Sequence, residues 1–108
     1  MPRTPKRLYG PAQTTNAAAT KYTVPESTKT VIRHIHAQNP AGSASSLTLS
    51  IGTDAAGLRL FDAYSMASGA VLDHYPYYVM EAAEIVQAFA GTLNDIVLTI
   101  DGDELTLG

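Results

Sequence analysis

Apolar and polar residues alternate along two segments of the chain. In SLTLSIG (46–52), leucine or isoleucine occupies every second position, and serine or threonine lies between them. NDIVLTI (94–100) repeats the pattern, with Ile96, Leu98 and Ile100 on one side. A two-residue period is typical of a β-strand with one buried face. Both segments are therefore predicted to be strands whose apolar side faces the core.

Shorter β-type runs separated by turn residues fill most of the remaining chain. NPAGSAS (39–45) begins with Asn-Pro and is predicted to be a loop, and Asp101-Gly102-Asp103 is predicted to be a hairpin turn. Pro76 limits its run to an edge strand or a bend. The runs recur about every 10 residues, which is typical of a sandwich or jelly roll. Besides the two alternating segments, the predicted strands are KYTV, KTVIRHIHAQN, LRLFDAY, LDHYPYYVM and ELTL.

These elements predict an all-β fold, an antiparallel two-sheet β-sandwich of seven to nine strands with jelly-roll character. Residues 1–20 contain three prolines and few apolar side chains. They are expected to form an extended N-terminal arm outside the core, and residues 21–108 the sandwich domain. The core is predicted to contain Val31, Ile35, Leu47, Leu49, Ile51, Leu60, Ile85, Phe89, Ile96, Leu98 and Ile100.

One segment, MEAAEIVQAFAG (80–91), admits two interpretations. Alanine, glutamate, methionine and glutamine favour a helix of about three turns. Alternatively, EAAE forms a turn and IVQAF a strand with Ile85, Gln87 and Phe89 on one side. The surrounding short strands favour the turn and strand.

Length and composition exclude several classes of protein. A chain of 108 residues is expected to form one domain. It contains no cysteine, which excludes a disulfide framework, a zinc–thiolate site and a thiol nucleophile. No apolar run approaches the roughly 20 residues of a membrane span, and no apolar segment follows the basic N-terminus. The protein is therefore expected to be made in a cytoplasm and to have no membrane partner.

The net charge of −3 hides a strong asymmetry. Residues 1–33 carry a charge of +5 and residues 34–108 a charge of −8. Because contacts with phosphates need clustered cations, the acidic body is not expected to bind nucleic acid. The asymmetry bears on association with other molecules rather than on the fold.

The histidines of VIRHIH (31–36) are the first candidate site. In a strand, His34 and His36 project from the same face, as two metal ligands would. A metal site needs a third ligand, for which His74, Asp62 and Asp73 are the candidates. Their spacing matches no known ligand pattern, and the two histidines are expected to lie on a solvent or subunit face without a metal.

Other catalytic and binding patterns are not found in the sequence. It has no nucleophile elbow and no phosphate loop, so it is predicted to be no enzyme and to use no cofactor. Tyr75, Tyr77 and Tyr78 around Pro76 form an aromatic patch. Such a patch serves as a core strand, as a subunit interface or as a platform for glycans.

The order of six segments resembles a family of small virion proteins of tailed bacteriophages. The resemblance spans residues 8–107, and its motifs are short and built from common β-residues. This chain departs from the family at EAAE, where Ala83 replaces a frequent glycine and the turn is expected to avoid positive φ. The six segments are LYGPAQ, YTVPEST, KTVIRHIHAQN, GSASSLTLSIG, LFDAYS and EIVQAFAG.

The resemblance implies a β-sandwich subunit of the tail or the capsid surface (decoration), without catalytic residues. It implies a homo-oligomer that contacts other virion proteins and is located in the virion after synthesis in the host cytoplasm. It also implies that His36 and Asn39 serve a structural strand and its exit turn. The alternatives are a glycan-binding module for host recognition that uses the tyrosine patch, and a metal-dependent cupin-like enzyme that uses His34, His36 and His74.

The arm is the second candidate site. Arg3, Lys6 and Arg7 precede Leu8 and Tyr9, which are candidate apolar anchors. A basic arm on an acidic body predicts docking onto a neighbouring copy or another acidic virion protein. Deleting residues 2–10 is then expected to leave a folded domain that no longer assembles.

Overall fold

The computed structural model describes residues 3–92 and 95–106, except for the side chains of Arg3 and Ala56. The described chain is all-β, as predicted, and a short 3-10 helix (Ala56–Leu58) precedes its fifth strand. No helix among these residues is long and apolar enough to cross a membrane. In chain order the strands are β1 (Arg3–Gln13), β2 (Ala19–Thr23), β3 (Thr28–Gln38), β4 (Ser45–Ile51), β5 (Arg59–Met66), β6 (Val71–His74), β7 (Tyr78–Met80), β8 (Ile85–Ala90) and β9 (Val97–Thr106).

The strands form two antiparallel sheets that pack face to face. The first sheet has the order β1-β9-β3-β6, and β7 also pairs with β3. The second has the order β2-β8-β4-β5. The predicted β-sandwich is thus confirmed, with β3 and β9 in the middle of the first sheet.

The core lies between the inner faces of the sheets. Most of the predicted core side chains are buried there, and Ile51 and Leu60 pack against its margin. Val31 is buried but lies outside the core cluster, paired with Val79 and Asp103. Burying one large aliphatic side chain contributes about 1.5–3 kcal/mol. The predicted residues that are buried in the core are Ile35, Leu47, Leu49, Ile96, Leu98 and Ile100.

The ambiguous segment contains strand β8, but its inner face is not the predicted one. Val86, Ala88 and Ala90 are buried, whereas Ile85 and Phe89 are only partly buried on the other side. Both sides of this strand are apolar, so alternation could not identify the inner one. The buried positions carry small side chains, which occupy little space between the sheets.

The turn before β8 corrects a second expectation. Ala83 has a φ of 71°, so the prediction that this turn avoids positive φ is wrong. Its N–H donates to the Val24 carbonyl at 3.0 Å, and the N–H of Glu81 donates to the Glu84 carboxylate at 2.6 Å. Left-handed backbone costs a residue with a Cβ about 1–2 kcal/mol, which these bonds help to offset.

Strand β9 corrects the predicted hairpin at Asp101-Gly102-Asp103. These residues continue β9, paired with β1 on one side and β3 on the other. A Cβ added to Gly102 would lie 2.1 Å from the Val31 carbonyl oxygen. The glycine therefore marks a close approach of two backbones inside a strand, which local sequence does not distinguish from a turn.

Bulges on both sides of β9 set which side chains face outward. In β3, Ile32 pairs with Gly102 and His34 with Asp101, which leaves Arg33 as an extra residue. A β-bulge of this kind shifts the alternation of the strand by one position. Because of it, Ile32 and Ile35 both face the core, and the intervening polar residues face outward.

The described part of the predicted arm is a strand of the first sheet. Residues 3–13 pair along β9, with Leu8 as the extra residue of a second bulge. Leu8 is buried in the core cluster, and Tyr9 packs against it. The expectation that this segment lies outside the core is therefore wrong. The prolines and charged residues of this segment do not indicate a strand. The strand forms because β9 supplies its hydrogen-bond partners and Leu8 is buried in the core.

A buried hydroxyl joins the two sheets near β1. Tyr22 of β2 hydrogen-bonds Thr30 of β3 at 2.7 Å and donates to the carboxylate of Glu104 on β9. Lys6 of β1 donates to the same carboxylate at 3.2 Å. Burial, followed by the nearby Glu104, raises the pKa of Tyr22. The phenol therefore stays protonated and serves as a cross-sheet link.

Candidate functional site

The outer face of the first sheet carries a cluster of two histidines and two aspartates. After the bulge at Arg33, His34 and His36 project outward from β3. Antiparallel pairing sets Asp73 of β6 opposite His36 and Asp101 of β9 opposite His34. Residues from three strands, β3, β6 and β9, are thereby brought onto one surface.

Asp73 is the centre of this cluster. Its Oδ1 lies 2.6 Å from Nδ1 of His36 and 2.9 Å from Nε2 of His34. The second ring nitrogen of His34, Nδ1, lies 3.6 Å from Oδ2 of Asp101. Both imidazoles are partly buried, with 26% and 34% of their side-chain surface exposed. The imidazole nitrogens and the carboxylate oxygens of the cluster are thus held in place and remain accessible to solvent.

Aromatic rings and cations flank the cluster. The ring of Tyr75 stacks on His34 with centroids 4.5 Å apart and planes 3° apart. The guanidinium of Arg33 lies 5.6 Å from the centre of the Tyr77 ring. Arg7 of β1 approaches Asp101 at 3.7 Å. The His34 ring is therefore held between a tyrosine face and two carboxylates.

The electrostatics of the cluster favour an ionised Asp73. Hydrogen bonds from His36, and secondly from His34, lower the pKa of Asp73 from its ordinary value. A carboxylate between two imidazoles can accept hydrogen bonds from their N–H groups. Alternatively, a metal ion can take the place of those protons and bind the carboxylate and both imidazoles. Both arrangements use the same side chains.

The structure selects among the ligands proposed from sequence. His34, His36 and Asp73 place one ligand atom each within 4.8 Å of one another. His74 is not in this group, since its Nε2 lies 3.3 Å from the Tyr78 hydroxyl. Asp62 instead accepts a hydrogen bond from Arg59 at 2.8 Å. The pairing of β3 with β6, which sequence does not show, decides between these candidates.

The tyrosine patch is divided between two environments. Tyr75 and Tyr77 are 74% and 68% exposed, whereas Tyr78 is partly buried and packs against the core. Exposure alternates from residue 71 to residue 79, with the odd positions outward. The four large apolar or aromatic residues at these odd positions form what is called here the outer row: Val71, Tyr75, Tyr77 and Val79.

The residues of the predicted docking arm have partners within the chain. Lys6 pairs with Glu104 at 3.2 Å, and Arg7 approaches Asp101. Leu8 is buried, and Tyr9 lies 5.4 Å from the ammonium of Lys21. The side chain of Arg3 lies outside the described part of the structure. The acidic partner that the charge asymmetry requires is thus supplied by β9 of the same chain, and docking onto another copy stays a prediction.

Asn39 has the structural role that was expected for it. It is buried at the end of β3, where its amide donates to the carbonyls of Ser43 and Met66 at 2.9 and 3.0 Å. Its side-chain oxygen accepts the N–H of Ala41 at 3.0 Å. These bonds fix the loop between β3 and β4.

Comparison with known protein families, with curated proteins and with solved structures gives no match. The resemblance to phage virion proteins therefore rests on the sequence motifs alone.

Proposed function

We propose that this protein is a non-enzymatic structural subunit of a tailed-bacteriophage virion that assembles with copies of itself on the tail or the capsid surface. The observation that carries the self-assembly is the outer row. The virion setting rests on the order of sequence motifs described above.

The outer row has the properties of a contact surface. Its four side chains are 54–74% exposed and point outward from β6, from β7 and from the connection between them, with Asp73 between Val71 and Tyr75. Soluble monomers rarely expose contiguous apolar patches larger than a few hundred Å², and tyrosine is enriched where proteins meet. Contact with another protein would remove this surface from water.

A second copy of the chain is the partner that suits this surface best. Strands β6 and β7 form an outer edge of the first sheet, and an outer edge has unpaired backbone donors and acceptors. A two-fold axis brings the same edge of two copies together in antiparallel fashion. The outer rows of the two copies then lie side by side on the same face of the extended sheet, where each covers part of the other.

Analytical ultracentrifugation over a range of protein concentrations tests the proposal. The wild type is expected to associate, and the double variant Tyr77→Lys, Val79→Lys to remain monomeric. Leu58→Lys is the matched control, because Leu58 is 48% exposed but lies outside the outer row. A wild type that is monomeric at every concentration would remove the basis of self-assembly.

The virion setting has its own test, independent of the oligomeric state. Virion genes cluster by the part of the particle that they build, so the neighbouring genes are expected to encode other tail or capsid proteins. Neighbours that encode enzymes of metabolism would oppose the proposal.

Glycan binding is the second candidate function. Two exposed tyrosines on one face, Tyr75 and Tyr77, favour it, because sugars stack on such rings. A glycan array probed with the wild type and with Tyr77→Ala separates the two functions. A ligand that binds the wild type and loses affinity for the variant would favour recognition over assembly.

A further inference from the structure

Two imidazoles and a carboxylate that converge on one point are the ligand set of many transition-metal sites. Neutral histidine nitrogens and carboxylate oxygens bind Zn²⁺ at about 2.0–2.2 Å, and three protein ligands leave a fourth position open. His34, His36 and Asp73 supply this set from two neighbouring strands, β3 and β6. Strands hold such ligands more rigidly than loops do.

We propose that His34 Nε2, His36 Nδ1 and a carboxylate oxygen of Asp73 form a binding site for one divalent transition-metal ion, with zinc the best match. The fourth position faces solvent on the outer face of the first sheet. The site goes beyond the proposed structural role and does not depend on it.

The distances are close to those of a metal site. Tetrahedral Zn²⁺ with bonds of about 2.1 Å separates its ligand atoms by about 3.4 Å. Here Asp73 Oδ1 lies 2.6 and 2.9 Å from the two histidine nitrogens, and no two of the three ligand atoms are more than 4.8 Å apart. Asp73 Oδ1 reaches the tetrahedral spacing when it lies about 0.8 Å farther from His36 Nδ1 and about 0.5 Å farther from His34 Nε2.

The surroundings of His34 match those of a metal-bound histidine. A histidine that binds a metal through one nitrogen usually directs the other toward a carboxylate or carbonyl, which fixes the ring and its tautomer. His34 Nδ1 faces Asp101 Oδ2 at 3.6 Å, and the stacked ring of Tyr75 restricts rotation of the imidazole. Asp101 is therefore a positioning residue, and it does not bind the ion.

The competing explanation is an ion pair in which protonated histidines share Asp73. In that case the cluster is complete without an ion, and added Zn²⁺ would neither bind to it nor stabilise the protein. The two explanations differ in what happens when Zn²⁺ is added, because only a metal site takes up one ion per chain.

Titration of the full chain without an affinity tag, by calorimetry with ZnCl₂ and by visible absorption with CoCl₂, tests the site. One ion per chain is expected, with the absorption bands of four-coordinate cobalt. His36→Ala and Asp73→Asn are expected to abolish the bands. Asp101→Asn is expected to lower the affinity about tenfold, as positioning residues of metal sites do.

Two matched controls come from the ligand candidates that lie outside the site. His74→Ala and Asp62→Asn are expected to bind Zn²⁺ as tightly as the wild type does. Circular dichroism of every variant checks that it is folded, and the partial exposure of the three ligands favours this. Excess Zn²⁺ is also expected to raise the Tm of the wild type but not that of His36→Ala.

A wild type that binds Zn²⁺ no more tightly than the double variant His34→Ala, His36→Ala would overturn the proposal. Binding that is lost in His74→Ala and retained in Asp73→Asn would do the same. A variant that fails to fold is replaced by His36→Gln, which keeps most of the side-chain volume but lacks the imidazole.

Discussion

The first sheet has two outer edges that differ in almost every respect. Strand β1 carries prolines at positions 5 and 11, basic side chains between them and a bulge at Leu8. At the opposite edge, β6, β7 and the connection between them present Val71, Tyr77 and Val79 to solvent. Proline, charge and bulges are the usual means by which proteins prevent an edge from pairing with another chain.

The difference indicates a division of roles between the two edges. Strand β1 packs against the rest of its own chain through Leu8 and the Lys6–Glu104 ion pair. Its prolines lack the N–H groups that another strand would need for pairing. The β6–β7 edge lacks these protections and exposes the outer row. A sheet that is protected at one edge and open at the other favours pairing with another chain at the open edge.

Deletion of residues 2–10 should have the largest effect on this comparison. It removes most of β1 and Leu8 and leaves β9 as a new edge. The sequence predicted that the domain would stay folded after this deletion. The structure predicts instead that the free energy of unfolding falls by more than about 4 kcal/mol. Urea denaturation measures it. Lys6→Gln with Arg7→Gln is the control, with an expected cost below about 1 kcal/mol.

A single residue from each edge sharpens the same comparison. Leu8→Ala opens a cavity in the core and is expected to cost about 2–4 kcal/mol. Val71→Ala removes an exposed side chain, so its cost should remain below about 0.5 kcal/mol. Equal denaturation midpoints for the two variants would mean that β1 does not contribute to the core.

The cross-sheet hydroxyl near β1 should have the next largest effect. Tyr22→Phe leaves Thr30 and Glu104 without their shared partner, at an expected cost of about 1–2 kcal/mol. Tyr64→Phe changes an exposed tyrosine of β5 and serves as the control, with little expected change. Thermal unfolding of both variants and the wild type measures the difference. An unchanged Tm for Tyr22→Phe would show that the link is dispensable.

At the other edge, the turn after β7 offers a gain in stability. Ala83→Gly relieves left-handed backbone and is expected to raise the free energy of unfolding by about 1 kcal/mol or less. Ala82→Gly, one residue earlier, lacks this benefit and should not stabilise. Urea titrations at matched protein concentration compare them, and a stabilising Ala82→Gly would contradict the explanation.

An edge of the second sheet gives the smallest expected effect. Arg59 at the start of β5 donates two hydrogen bonds to Asp54, at 2.9 and 3.0 Å, and lowers the pKa of that carboxyl from its ordinary 3.8. A lowered pKa contributes stability above the ordinary value, and the contribution is lost as the pH falls through the lowered one. Asp54→Asn should therefore reduce the Tm slightly at pH 7, and the reduction should shrink as the pH falls below 3.8. A difference that grows on acidification would exclude this ion pair as its cause.

Local alternation predicted the strands well because it depends on one face of a sheet being buried. The runs that became β4 and the first part of β9, and the outward pair His34 and His36, follow from that period. The inner face of β8 did not, since both of its faces are apolar. The strand through Gly102 did not either, because the close backbone approach that requires glycine comes from Val31 of β3, which is distant in sequence.

The candidate site was only half visible in the sequence. Two histidines on one strand could be recognised from their spacing. Asp73 was one of three candidates, and the pairing of β3 with β6 selects it. The arm was misjudged for a related reason: its hydrogen-bond partner, β9, lies at the other end of the sequence, beyond any local pattern.

The extra residue in β3 has a consequence for how this protein can change its length. Residues before Arg33 face the core at even positions, and residues after it at odd positions. Removing or adding one residue next to Arg33 would turn Ile35 and Ala37 toward water and His34 and His36 toward the core. Substitutions on the outer face of β3 are therefore tolerable in a way that insertions and deletions within this strand are not.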